Sequence, residues 1–387
     1  MNSKQFETAK MCLKVVTPIN ISDGIVLGAK DYLYDSRRQK VYFLNLHQWH
    51  MFIYKHMLLK KYESYLANFR DKQSLLEWLR MQGYDIDDVR TVITSEAQAT
   101  VNLMENEKKK TLNDINRHIQ QPDGSLYVPG SSIKGVFRTA ILYSLLQKRQ
   151  DVKVKYWRQV QEKISSNYFK PYKDFKKLMS DLENELLHTL RLLDGDNRSN
   201  NAVRSAMRGL QVSDTYASRN MQTAILQKVD GGFDKFGKAT PKKLPIFREC
   251  MLPEAELFFD VKIEKAVMNT IGINSVDDLL KATHSFFAAV TDLLQQAFEK
   301  EYQEAFQGVA AGNMFLGGNT GFLSKTLLAM LAPDKDTAKN TIKVLLDKSF
   351  KNHKHLLRDK VIAPRTLKCT NYNGKLMLMG VAEVRKV

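Results

Sequence analysis

Cysteine is scarce: Cys12, Cys250 and Cys369 are the only three in 387 residues. They lie far apart and form no CxxC pair, which excludes a disulfide framework and a zinc ribbon and points to a reducing compartment. His, Cys, Asp and Glu nowhere fall at metal-ligand spacing, so neither a metal nor another cofactor is expected. No window approaches the roughly 18 uninterrupted apolar residues of a membrane span. The opening MNSKQFETAK lacks the apolar stretch of a secretory signal. The expectation is a soluble, cytoplasmic protein that makes no membrane contact. Negative charge is also in deficit, with 42 Asp and Glu against 59 Lys and Arg and a formal net charge of +17. Such a surplus draws polyanions through long-range fields and counterion release. With 43% hydrophobic residues the chain has the material for a sizeable core, and its length allows two domains.

Strand-like and helix-like patterns alternate along the chain. Residues 11–21 are rich in β-branched types and read as a strand, closed by a turn at Ser22-Asp23-Gly24. A second strand is expected near 40–46, and residues 47–115 read as mostly helical, apart from the charged run 105–110. Residues 152–193 are lysine-rich and helical, broken near Pro171. Strands return at 210–214, 223–229 and 244–252, the last two joined by VDGGFDKFGKATPKK as a long hairpin, and again at 255–263. Ser275 opens a long helix with Asp278 placed to complete a cap, and 375–384 reads as a closing strand. The mixture predicts an α+β fold.

The segment YVPGSSIKGVFRTAIL carries the clearest chemistry. Small residues lead directly into a helix whose first N–H groups have no partner within the helix. Those donors and the positive helix end suit a phosphate, with Lys134 and Arg138 adding full charges; an ordinary helix-opening turn fits the shape equally well. Gly130 and Gly135 are expected to leave room for an approaching nucleic-acid backbone and to tolerate substitution without loss of fold. A nucleotide-hydrolysing P-loop is excluded, because Val136-Phe137 stand where that motif needs Lys and Ser/Thr. A second loop, FLGGNTGFLSKTLL, has the same design, with glycines preceding a helix that carries a base in its first turn.

VPGSSIKGVFRTAIL resembles the glycine-rich signature of the RAMP superfamily of CRISPR RNA-binding proteins. KVVTPINISDGIVL, DGSLYVPG, MRGLQVSD, FRECMLPEAELFF and GGNTGFLSKT extend the likeness across residues 13–384. Together they resemble the family of the fifth Csm subunit, which caps the 3′ end of the crRNA in type III-A effector complexes. The resemblance implies two ferredoxin-like (RRM-related) domains with helical insertions, here residues 1–210 and 211–387. It implies a non-catalytic subunit that binds the crRNA 3′ region and supports crRNA maturation in antiviral defence. Its partners would be adjacent backbone and small Csm subunits, a 3′-trimming nuclease and, indirectly, target RNA. The RNA-binding residues would be Gly130, Ser131, Ser132, Lys134, Gly135 and Arg138 in the first loop, and Gly317, Gly318, Asn319, Thr320, Gly321 and Lys325 in the second.

Cleavage of RNA is the enzymatic alternative, as in a RAMP endoribonuclease that processes crRNA. It would need a general base near the scissile phosphate. His47, His50 and His56 sit in an aromatic helical region and His353 and His355 in a lysine-rich one, none in a catalytic setting. Asp23 follows the first strand, where its SDG context describes an Asx turn. Residues 153–177 interleave lysines with aromatics, which suits either base stacking or the buried face of an amphipathic helix.

Overall fold

The computed structural model describes residues 5–68, 73–100, 112, 114–166, 168–192, 198, 200–217, 221–234 and 236–387. The charged run 105–110 lies outside them. Two sheets organise the chain. In the strand Phe6–Val15, Met11, Leu13 and Val15 are fully buried while Lys10, on the opposite face, is exposed, as period-2 alternation requires. That strand is central to a six-stranded antiparallel sheet. Glu256–Glu264 pairs on one side (Met11↔Phe259) and Val381–Lys386 on the other (Leu13↔Val384). Leu210–Val212, Tyr216–Ala217 and Met314–Phe315 complete it. The helices Gly130–Lys148 and Val276–Tyr302 share its hydrophobic core through Phe137, Ile141, Phe286 and Val290. Ser275 caps the long helix by accepting from the Asp278 N–H at 3.1 Å.

The second sheet has nine strands. Ser22–Leu27, Ile115–His118, Lys242–Met251, Thr223–Gly231, Ile93–Thr100, Lys40–Leu44 and Tyr32–Asp35 lie in that order, and Leu367–Tyr372 joins through Thr223–Gly231. The hairpin expected between 229 and 244 is present, with Asp230 opposite Lys242. Between strands of this sheet, Leu46–Lys55, Leu59–Ala67 and Leu75–Met81 form a helical insertion around Trp49, Tyr62, Tyr65 and Trp78. Ser74 and Glu77 complete a capping box there.

Three expectations are corrected. The region 47–115 contains the strand Ile93–Thr100, whose Ala97 and Ala99 are too small to give a strong apolar signal. The closing strand is two strands in different sheets, Lys375–Leu378 and Val381–Lys386, parted at Gly380 with φ +83°. A Cβ on Gly380 would stand 2.2 Å from Thr320 Cγ2. The second glycine loop opens no long helix: it runs into the single turn Leu323–Lys325 and then Leu328–Leu331. Each sheet takes strands from both sides of position 210: Phe6–Val15 pairs between two late strands in one, and Ile93–Thr100 and Ile115–His118 pair with Thr223–Gly231 and Lys242–Met251 in the other. Among the described residues no helix is long and apolar enough to cross a membrane.

Candidate nucleic-acid interface

The first glycine loop is pinned before it is offered to any ligand. The Gly130 N–H donates to Asp214 Oδ1 at 2.7 Å, and Val128 and Thr215 exchange two further bonds, Val128 N–H to Thr215 Oγ1 and Thr215 N–H to the Val128 carbonyl. A Cβ on Gly130 would lie 2.3 Å from the Val212 carbonyl oxygen and 2.6 Å from that of Ser213. Gly130 is therefore glycine for close packing against the protein's own backbone, which corrects the expectation that it leaves room for RNA. Lys134 is also engaged: its ammonium donates to the Leu210 carbonyl at 2.6 Å, and burial pushes its pKa down. Ser131 is exposed, Gly135 has open space where a Cβ would stand, and Arg138 reaches Glu183 at 3.3 Å on the surface.

The helical face bearing Ser132, Gly135 and Arg138 forms one side of an open groove of ≈ 360 Å³, and Gly317, Gly318, Thr320 and Lys325 line it from the second loop. Two glycine loops almost two hundred residues apart in sequence thus meet in one place. The second loop is held to the start of the chain. Gly317 has φ +87°, and a Cβ there would be 2.4 Å from the Asn20 carbonyl oxygen, which accepts the Gly318 N–H at 2.7 Å. Asn319 is left-handed at φ +62°, a conformation Asn tolerates. Ser324 Oγ donates to the Thr320 carbonyl at 3.0 Å. Gly321, with φ +91°, approaches Lys368 Cγ, so the loop overhangs the strand Leu367–Tyr372.

Under this loop Lys325 joins three cations that motif reading did not select, Arg248, Lys228 and Lys368. Arg248 Nη1 donates to Asn20 Oδ1 at 3.0 Å, and its buried Nε has no hydrogen-bond partner among the described residues. Lys325 has its pKa lowered by desolvation and then by the Arg248 charge. Lys228 is likewise lowered by burial, then by Lys368. Against these stands Asp230, which reaches Lys368 at 2.9 Å and Lys228 at 3.6 Å. Asp230 pairs with two of these four cations, which leaves a local positive excess, and repulsion from neighbouring cations adds to the burial that lowers the Lys325 and Lys228 pKa values. An anion brought to the groove would relieve it. The signal in the sequence is FREC: two charged residues inside the apolar part of the strand Lys242–Met251, beyond its opening lysines.

Its other charge, Glu249, is buried, accepting from the His118 N–H at 3.0 Å and from Thr223 Oγ1 at 3.3 Å. Burial raises its pKa to about 7. His118 is fully buried, accepts the Ile21 N–H on Nδ1 at 2.9 Å, and is pushed down to about 4 by burial. Asp23 forms the Asx turn, its Oδ1 taking the Ile25 N–H at 2.8 Å, while Oδ2 pairs with Arg117. His56 bonds the Tyr84 hydroxyl, His355 is buried against Asp359, and His353 stacks on Phe350. His47 and His50 are exposed on the helical insertion. Among the described residues no group of three His, Cys, Asp or Glu is placed to hold a metal ion.

The family model of the RAMP superfamily matches residues 12–322. The chain belongs to the RAMP superfamily. Curated relatives that match most of the chain carry the name CRISPR system Cms protein Csm5. The protein from Mycobacterium tuberculosis (strain CDC 1551 / Oshkosh) is 27% identical, over 98% of this chain and 97% of its own length. The one from Enterococcus italicus is 23% identical over 88% and 85%. The likeness to the fifth Csm subunit read from the motifs is therefore the likeness these relatives carry. The RAMP fold is matched by a chain of a cryo-EM structure of a type III-A Csm–crRNA–target RNA ternary complex. Its TM-score is 0.68, with 18% identity, over 98% of this chain and all of that one. A crystal structure of T. onnurineus Csm5 matches with a TM-score of 0.60 and 19% identity, over 96% and 99%.

Proposed function

We propose that this protein is the Csm5-type subunit of a type III-A CRISPR effector complex, a non-catalytic RNA-binding subunit that caps the 3′ end of the crRNA. The observation that carries this reading is the groove in which both glycine loops converge, lined by Arg138 and Lys325, with Arg248 and Lys368 against the second loop and Lys228 beside them. A groove with a positive excess, small residues on its rim and hydroxyls at Ser132 and Thr320 suits a sugar–phosphate backbone. Within it, Ser131, Ser132, Gly135, Arg138 and the 317–325 loop are the surfaces for RNA, while Gly130 and Lys134 hold the loop that presents them. The ferredoxin-like (RRM-related) description fits one unit per sheet better than one unit per half of the sequence, since both sheets mix early and late strands. Neighbouring Csm subunits and the crRNA 3′ region are its partners in this reading, supported by the relatives' names and the assembly that the cryo-EM match comes from.

The test is RNA binding and cleavage by the purified chain, and crRNA occupancy after co-expression with the other Csm subunits. Binding without cleavage, with occupancy lost in an Arg248→Gln/Lys325→Ala double variant, is the expected outcome. Cleavage of precursor RNA that Asp23→Ala or a histidine substitution abolishes would replace it with a processing endoribonuclease.

A further inference from the structure

The lysine-rich segment after the first glycine helix is a helical hairpin, Gln150–Ser165 and Pro171–Leu187. Its aromatics divide into two sets. Tyr156 is buried, and Trp157, Phe169 and Phe175 pack against the main core. Tyr168 and Tyr172, at the tip, are 90% and 81% exposed. Core packing thus accounts for the first set and not the second, whose Tyr172 ring has only Lys176 Nζ, at 5.8 Å from its centroid, as a ring contact among the described residues.

The tip is firmly placed. Lys348 Nζ donates to the Ile164 carbonyl at 2.7 Å and stands 5.5 Å from the Phe169 ring centroid, while Gln161 Nε2 donates to Thr341 Oγ1 at 2.9 Å. Pro171 starts the second helix with its fixed φ. Charge at the tip is one-sided. Lys163, Lys170, Lys173, Lys176 and Lys177 pair with no carboxylate among the described residues. The two acids beside them are already engaged, Asp174 by the Lys170 N–H at 2.8 Å and Glu162 by Arg158 at 3.6 Å. Lys163, Lys170 and Lys173 border an open hollow of ≈ 460 Å³ that Tyr168 also lines.

We propose that this tip is a second RNA contact, in which Tyr168 and Tyr172 stack unpaired bases and Lys163, Lys170 and Lys173 hold the adjoining phosphates. Exposed rings with free lysines around them fit a single strand, whose bases present open π-faces; a duplex hides those faces and offers phosphates alone. A membrane surface or an acidic protein would use the lysines and leave the stacking geometry idle. Pro171 lies roughly 18 Å along its helix from Glu183, the partner of Arg138 at the groove, so a strand leaving the groove along this helix reaches the tip. The proposal rests on the RNA-binding reading above.

The experiment compares the full-length wild type with Tyr168→Ala/Tyr172→Ala and Tyr168→Phe/Tyr172→Phe. The probes are a fluorescein-labelled unstructured oligoribonucleotide and the same sequence annealed to its complement. The Ala pair is expected to weaken single-strand binding about tenfold or more, the Phe pair to bind as wild type, and duplex binding to be the same in all three. Thermal melts should coincide, since both side chains are exposed. Wild-type affinity in the Ala pair would overturn the proposal and leave the groove reading standing. Equal loss in the Ala and Phe pairs would overturn it too, because stacking needs the ring and not the hydroxyl. No RNA binding by the wild type would overturn both.

Discussion

The Asn20 carbonyl accepts the Gly318 N–H at 2.7 Å, a bond that ties the end of the first strand's loop to the second glycine loop across almost three hundred residues. The same oxygen sits 2.4 Å from where a Gly317 Cβ would be. Gly317→Ala therefore meets a backbone atom and a φ of +87° that disfavours any side chain. We expect a loss of about 2–4 kcal/mol, read as a lower urea midpoint with unchanged slope.

The two glycines of the first loop separate cleanly. Gly130→Ala drives a Cβ into the Val212 and Ser213 carbonyls, so it should lower the melting temperature by several degrees. Gly135→Ala enters open space on a helix, where Ala is favoured, and should leave the melt unchanged or slightly higher. Gly135→Arg or →Leu then reports on the groove: crRNA occupancy should fall while the melt holds.

Lys134→Met removes the donor to the Leu210 carbonyl. The expected cost is about 1–2 kcal/mol of stability, since a charge-assisted bond at a half-buried site is lost. An unchanged melt with weakened RNA binding would instead place the ammonium on RNA.

Groove electrostatics should appear in the salt dependence. Arg248→Gln and Lys325→Ala are each expected to reduce the slope of log affinity against log salt by about 0.7, the share of one phosphate contact on a single strand. Fluorescence anisotropy titrations across a salt series give that slope directly.

The buried pair gives opposing pH terms. Glu249 shifts from 4.5 to about 7, so the folded state keeps a proton the unfolded state releases; that stability is complete below 4.5 and lost as pH rises through 7. His118 shifts from 6.5 to about 4, so the unfolded state takes a proton the folded state refuses, and stability rises with pH between those values. From 4.5 to 6.5 the two nearly cancel. Glu249→Gln should expose the histidine term, with stability climbing by about 1 kcal/mol per pH unit, and His118→Gln the opposite slope. Urea midpoints at the ends of that window check both signs.

Local signals in the sequence reported elements well and sites unevenly. Ser275, Pro171 and the 229–244 hairpin act through their own neighbours, and each appears where its chemistry requires. The strand Ile93–Thr100 escaped because its inward residues include two alanines, and the break at Gly380 because what a side chain there would meet is Thr320, sixty residues away. The glycine loops were recognisable as phosphate-competent shapes. That Gly130 and Lys134 answer to Asp214 and Leu210 depends on a distant strand no local pattern announces. Arg248 was hidden for the same reason: a charge in a strand acquires meaning only when Asn20 and the second loop are folded over it.

The place of the strand Phe6–Val15, between Glu256–Glu264 and Val381–Lys386, has a consequence for synthesis. It leaves the ribosome well before either of its neighbours, which begin about 250 and about 375 residues further along the chain. Until then both of its edges are open, and an unpaired apolar strand is the kind of surface that chaperones hold and aggregates recruit. A stop codon before residue 381 would therefore release a chain whose earliest strand never gains its second neighbour, and yield in cells should depend on temperature and chaperone supply more steeply than the finished fold's stability suggests.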